Sequence, residues 1–398
     1  MTAPLTVGCT PEHQADLGKP PASVAPEDLR DDGAADLVAD LEQAMSRPAA
    51  VDRVASASGS ARAELVAAAA NVRALGLRDV GLRYLAPSST TISGPEEARF
   101  GAAAWLADVQ VSWRQPGVDR RDALLTVPMV LTGEGEDQEF ASFTTVGSEH
   151  VPLWLLTRLA VVRRERTVVA APTQAAARRL SALAEQAVTT VRQTLPQWRS
   201  RLLVQEAPSQ RVFQLAAGLP AEQARAVAAV TTTPDGSGDP DARGQVYVNP
   251  RLYDPLADDG RQIVISHESA HVALGAATSQ MPLWLSEGTA DWIALRRSTV
   301  PMDRLASQVL GWVRENGGPR TLPGPSAFDG SDKRIGAWYE AAWLAVKRLA
   351  DTYGAEDLLR FYRATERAGS ADRAFSQVLG TSEGAFVRDW RSYLVSLA

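Results

Sequence analysis

The chain has 398 residues, a length that predicts about two or three domains. Its hydrophobic fraction of 45% and charged fraction of 22% are those of an ordinary globular protein. The formal net charge of −6 and the lack of a basic run argue against nucleic acid as a partner.

The first segment is rich in proline and polar residues, so we expect residues 1–26 to form a disordered tether. Its Cys9 is the single cysteine of the chain, which excludes an intrachain disulfide. Cys9 follows Gly8 in a pattern similar to the cleavage site of bacterial lipoproteins, although the residues before it lack a positive region and an apolar stretch. Two alternatives follow: an extracytoplasmic protein anchored through lipidated Cys9, or a cytoplasmic one if Met1 is the true start.

The next segment, residues 27–150, is predicted to be a small α+β domain. Apolar residues at helical spacing predict helices at 26–47 and 61–75, and β-rich runs between turn residues predict strands at 80–85, 107–114, 123–131 and 139–146. The order of these elements resembles nuclear-transport-factor-like folds and predicts an antiparallel sheet. No catalytic pattern occurs here, so we expect a scaffold or recognition role, with His150 at the domain junction as a structural residue.

Residues 151–398 are predicted to form a second, larger domain. Strands at 167–171, 202–206 and 245–248 alternate with helices at 173–195 and 221–230, which is typical of an α/β lobe, and residues 231–243 read as a loop. A helix beginning at Gln262 and ending at Gly275 follows, and the rest of the chain is mostly helical.

The helix beginning at Gln262 carries His267-Glu268-Ser269-Ala270-His271, an H-E-x-x-H pattern. Residues four apart share one helix face, so His267 and His271 can bind one metal ion. Glu268 is then placed to reach a water at the metal, and a tetrahedral zinc still lacks one protein ligand. The structural alternative is a buried helix with two hydrogen-bonded histidines.

Glu287, sixteen residues after His271, is the predicted third ligand. Pro282 suits the first turn of a second, largely apolar helix that carries it. Asp291 lies one helical turn beyond Glu287, where it could accept a hydrogen bond from a liganding histidine. The layout with a third histidine is excluded, because Leu274 and Ala277 stand where glycine and histidine would be needed.

The patterns HESAH and WLSEGTADW resemble the gluzincin zinc metallopeptidases, in particular the bacterial peptidase MA-like type. The resemblance extends from about residue 167 to the C-terminus. It implies a zincin-like fold with a mixed sheet lobe and a helical lobe, His267, His271 and Glu287 as ligands of one Zn²⁺, and Glu268 as the catalytic base. It further implies that the strand at 245–249 borders the cleft and pairs with the substrate main chain.

The segment Trp338-Tyr339-Glu340 resembles the tyrosine-bearing helix of the same peptidases. It implies that the Tyr339 phenol donates a hydrogen bond to the oxyanion formed during hydrolysis. The alternative is an amphipathic core helix in which the tyrosine only packs.

Together these features predict a zinc metallopeptidase with a peptide or protein substrate and no identifiable partner protein. Two rivals stay open. One is a non-catalytic extracytoplasmic binding lipoprotein with a zinc-stabilised lobe, and the other is a zinc hydrolase acting on a substrate other than a peptide.

Overall fold

The first part of the chain folds into a four-stranded antiparallel sheet, and the helices at 26–46 and 59–75 pack on one face of it. The computed structural model describes residues 26–46, 51–56, 59–144, 147–328 and 332–398; Cys9 and the predicted tether, except its last residue Pro26, lie outside them. The elements of this part are α1 (Pro26–Ser46), α2 (Val51–Val54), α3 (Gly59–Leu75), β1 (Arg78–Pro87), α4 (Gly94–Phe100), β2 (Ala104–Arg114), β3 (Ala123–Thr132) and β4 (Glu139–Ser142).

The strands of this sheet pair in sequence order, β1-β2-β3-β4. In β2, Val109, Val111 and Trp113 are buried while the residues between them are half-buried, which is the alternation that a one-sided sheet requires. Strands β2 and β3 stay in continuous antiparallel register from one end of β2 to the other. The predicted antiparallel α+β arrangement of this segment is confirmed.

A second sheet, with five strands, follows. Its order is β5-β6-β7-β9-β8; β6, β7 and β9 run parallel, and β5 and β8 are antiparallel edge strands. The elements are α5 (Leu153–Leu156), β5 (Ala160–Arg163), β6 (Thr167–Ala171), α6 (Gln174–Thr194), β7 (Leu202–Glu206), α7 (Gln210–Ala217), α8 (Ala221–Ala226), β8 (Ala229–Thr232) and β9 (Gln245–Val248).

The second sheet is buried on both faces, since every residue of β6, β7 and β9 is buried. Val204 and Val246 belong to a core shared with α6 and the later helices. Their neighbours Leu203 and Tyr247 point to the opposite face and join the core of the N-terminal segment. The sheet is therefore a central layer between the N-terminal segment and the helices that follow.

The rest of the chain is helical. Its elements are α9 (Pro250–Tyr253), α10 (Asp258–Leu274), α11 (Leu283–Ala294), α12 (Met302–Leu305), α13 (Ser307–Asn316), α14 (Ile335–Tyr353), α15 (Ala355–Ala368), α16 (Ala371–Leu379) and α17 (Glu383–Leu397). Helix α10 ends at Gly275, which takes the left-handed conformation of a helix C-cap as predicted. It begins four residues before the predicted Gln262, because Asp258 and Asp259 suit a helix N-terminus. No helix among the described residues is long and apolar enough to cross a membrane.

Two predictions about the sheet edge are wrong. The helix predicted at 221–230 ends at Ala226, and the β-branched residues after it form β8 because they pair with β9. The strand predicted to border the cleft, β9, lies between β7 and β8, so both of its edges are already paired. Strand β8 is the edge strand instead.

Candidate metal centre

Three side chains from α10 and α11 converge on one point. Nε2 of His271 lies 3.0 Å from Nε2 of His267. Oε2 of Glu287 lies 3.3 Å from Nε2 of His267 and 3.4 Å from Nε2 of His271. Helix α10 supplies the two imidazoles from one face, and α11 packs beside it and supplies the carboxylate. Within the described parts of the chain, His267, His271 and Glu287 form the group of metal-capable side chains, and His150 does not belong to it.

The spacing of these three atoms fits a zinc ion. Donor atoms at about 2.0–2.1 Å from a tetrahedral zinc lie roughly 3.3 Å from one another. The three observed separations of 3.0, 3.3 and 3.4 Å are close to that value. Two imidazoles and one carboxylate also leave a fourth tetrahedral position for water, as in catalytic zinc sites.

Asp291 holds one of the two imidazoles. Its Oδ1 lies 2.7 Å from Nδ1 of His267, so this nitrogen carries the proton and Nε2 is left to face the cluster. The corresponding Nδ1 of His271 is buried and has no hydrogen-bond partner among the described residues. Asp291 therefore fixes the ring of His267 alone.

Without a metal, the charged side chains of the cluster shift one another's pKa. Burial lowers the pKa of His267, but the carboxylates of Asp291 and Glu287 raise it more, and the net pKa lies well above the usual range. Burial raises the pKa of Glu287, but the two imidazoles lower it more, so this carboxylate stays ionised. A metal must therefore displace a proton from His267, and its binding should weaken as the pH falls.

Glu268 lies beside the cluster but outside it. Its Oε2 accepts a hydrogen bond of 2.7 Å from the hydroxyl of Thr231, a residue of edge strand β8. The methyl group of Thr231 packs beside Gly244, where even a Cβ would come within 2.7 Å of it. We did not predict Thr231 from the sequence, because residues 231–243 read as a loop and only the pairing of β8 with β9 brings Thr231 to α10.

Tyr339, from α14, faces the same space. Its ring contacts Phe328 edge to face, with centroids 5.0 Å apart. Burial raises the pKa of Tyr339, and the carboxylates of Glu287, Asp291 and Glu268 raise it further. The phenol therefore stays protonated and can act as a hydrogen-bond donor.

Two cavities adjoin the cluster. The large cavity has a volume of about 670 Å³ and the small cavity one of about 200 Å³. Both are lined by His267, Glu268 and Tyr339, together with residues of the segment 227–230. A pocket of several hundred Å³ beside buried titratable groups is the usual setting of a ligand or substrate site.

His150 lies away from this centre. Its ring packs beside Gly218, and burial lowers its pKa. This position agrees with the structural role expected for it.

Comparison with known proteins adds no relative: no family model matches the chain, and no curated protein matches it significantly.

Proposed function

We propose that the protein is a zinc-dependent metallopeptidase of the gluzincin type, with a zincin-like fold over residues 151–398. The observation that carries the proposal is the convergence of Nε2 of His267, Nε2 of His271 and Oε2 of Glu287 within 3.4 Å of one another. Glu268 stands beside this cluster. A purely structural zinc site needs neither such a carboxylate nor an open coordination position.

In this proposal His267, His271 and Glu287 hold one zinc ion per chain. When bound, zinc lowers the pKa of water toward about 7 and polarises the scissile carbonyl. Glu268 accepts the proton of the attacking water at its other oxygen, Oε1, and passes it to the leaving amine. The Thr231 hydroxyl keeps the other oxygen of this carboxylate in place.

Tyr339 and Asp291 support that step. The protonated phenol of Tyr339 donates a hydrogen bond to the oxygen that gains negative charge as the carbonyl is attacked. Asp291 holds His267 in the tautomer whose Nε2 faces the cluster.

Edge strand β8 offers a way to hold a peptide. Its one paired side faces β9, and its residues Ala229 and Val230 line both cavities. An extended peptide can add to such an edge through main-chain hydrogen bonds, which would lay its scissile bond beside Glu268.

The proposal is tested with Glu268→Gln and His267→Ala in the full chain. We expect wild type to bind one zinc and to cleave a peptide library, Glu268→Gln to keep one zinc and lose cleavage, and His267→Ala to lose zinc. Metal analysis measures the zinc content, mass spectrometry measures peptide cleavage, and circular dichroism shows whether each variant is folded. Cleavage that persists in folded Glu268→Gln would exclude Glu268 as the base.

The rival functions give different results in the same assays. A non-catalytic binding lipoprotein would bind zinc but cleave neither denatured proteins nor small amides and esters. A zinc hydrolase with another substrate would leave peptides intact and hydrolyse a small ester or amide in a Glu268-dependent way.

A further inference from the structure

The loop between β8 and β9, residues 233–244, is bound by an arginine of the N-terminal segment. Arg121 lies in the connection between β2 and β3. Its Nη1 donates to Oδ2 of Asp235 over 2.9 Å, and its Nη2 donates to Oγ of Ser237 over 2.6 Å. Its Nε lies 2.8 Å from Oδ2 of Asp239. A single arginine therefore bridges three residues of a loop that consists of turns and irregular backbone.

Asp235 makes this contact important because its carboxylate is buried. The side chain is 2% exposed. Burial raises the pKa of Asp235, but hydrogen bonds from Ser237, Leu124 and Arg121 lower it more, so the carboxylate is ionised. Removal of the arginine alone would leave a buried charge without its partner, which is strongly unfavourable. The loop would then have to open to bring Asp235 into water.

A second contact from the same connection holds the other end of the loop. Nε2 of Gln245, the first residue of β9, donates to Oδ1 of Asp119 over 3.0 Å. Asp119 lies two residues before Arg121. In the sheet, Gln245 is paired with Thr232, the last residue of β8. The N-terminal segment therefore binds the loop both shortly after β8 and at the start of β9.

Strand β8 depends on this support because it is short and lies at an edge. It has four residues and pairs with β9 alone. Segments with few paired backbone groups open more readily than the rest of a fold. Strand β8 carries Thr231, whose hydroxyl lies 2.7 Å from Oε2 of Glu268. If the loop opens, β8 loses an anchor and this hydroxyl moves away from the carboxylate.

We propose that the N-terminal segment supports the candidate active site, with Arg121 as a positioning residue that acts on Glu268 through the loop, β8 and Thr231. The proposal rests on the proposed peptidase function and adds a role for the N-terminal segment. Arg121 lines neither of the two cavities beside the metal centre. Its effect on hydrolysis therefore passes through the residues that it holds in place.

The kinetics of zinc-loaded, full-length variants on one peptide test this proposal. Arg121→Gln removes the charge, and we expect kcat to fall by about three- to tenfold, because the base then loses part or all of its hydrogen bond from Thr231. Arg121→Lys keeps a charge beside Asp235, so its kcat should lie between those of Arg121→Gln and wild type. Arg62→Gln is the matched control and should keep the wild-type kcat, because Arg62 pairs with Asp52 inside the N-terminal segment.

A double variant distinguishes positioning of the base from a general loss of stability. If Arg121 acts through Thr231, Arg121→Gln should change little once the hydroxyl is gone. The kcat of Arg121→Gln/Thr231→Val should then stay within about twofold of that of Thr231→Val. Independent effects would multiply instead. A double variant slower by the product of both single losses, or an unchanged kcat in folded Arg121→Gln, would overturn the proposal.

Hydrogen exchange separates this inference from the proposed function, because it requires no hydrolysis. Mass spectrometry measures the exchange of the backbone amides of residues 229–235. We expect exchange at least about fivefold faster in Arg121→Gln, a smaller increase in Arg121→Lys, and no change in Arg62→Gln. If wild type cleaves nothing but this pattern holds, the support of β8 by Arg121 stands and peptide hydrolysis is refuted. If wild type cleaves peptides but β8 exchanges alike in all variants, the proposal is overturned and hydrolysis stands.

Discussion

Thr231→Val tests whether the hydroxyl on the edge strand positions the proposed base. The substitution keeps a β-branched side chain of the same shape in β8 and removes only the donor. In the structure that donor lies 2.7 Å from Oε2 of Glu268 and 3.0 Å from its backbone oxygen, so its single proton can serve one of the two at a time. Valine leaves the carboxylate without this partner.

The size of the effect follows from the charge on Glu268. A hydrogen bond to a charged group contributes about 1.5–3 kcal/mol, which corresponds to a factor of roughly 10 to 150 in kcat/KM if it is lost in full at the transition state. Because Glu268 lines both cavities, a solvent molecule can replace part of the bond, and we expect a loss of about tenfold. Zinc content should not change, since the hydrogen bonds of the Thr231 hydroxyl go to Glu268 and not to the three proposed ligands.

The assay compares kcat and KM of wild type, Thr231→Val and Thr231→Ser on one peptide, with zinc content and melting temperature measured beside them. Serine retains the hydroxyl and loses the methyl group that packs beside Gly244, so it should recover most of the activity. We expect the loss in kcat rather than in KM, because the bond orients the base and does not touch substrate. Equal activity of the valine variant, or a serine variant as slow as valine, would refute a positioning role for this hydroxyl.

Three further predictions concern other residues. Asp291→Ala should weaken zinc binding by about 10- to 100-fold in chelator competition, because the His267 ring loses its partner, and unchanged affinity would refute that role. Gly288→Ala should lower the free energy of unfolding by about 1–3 kcal/mol in denaturant titrations, because a Cβ there would lie 2.3 Å from the backbone oxygen of Ala342; an unchanged midpoint would contradict this packing. Burial raises the pKa of Asp119 from 3.8 to about 6, so its stabilising protonated form is lost as the pH rises from about 4 to 7, which costs at most about 3 kcal/mol. Wild type should therefore lose more stability over this range than Asp119→Asn, and parallel pH profiles of unfolding would contradict the shift.

Local periodicity was enough to predict much of this protein. Residues one helical turn apart must share a face, so His267 and His271 could be paired from their spacing alone, as could Glu287 and Asp291 on the next helix. Runs of β-forming residues between turn residues located the strands of the first sheet. These patterns depend only on the geometry of each element, and the structure then places the four side chains together.

The edge of the second sheet was decided by tertiary structure. Strand order comes from pairing between segments far apart in sequence. No local pattern predicts that β8 forms the edge of the sheet and that β9 lies inside it. For this reason the family resemblance placed the cleft edge on the wrong strand, and the local pattern left Thr231 in a loop. Cavity size has the same origin, because it depends on how α8, α10 and α14 pack together. Spacing along the chain therefore determined which groups could bind a metal, whereas long-range pairing and packing determined what surrounds them.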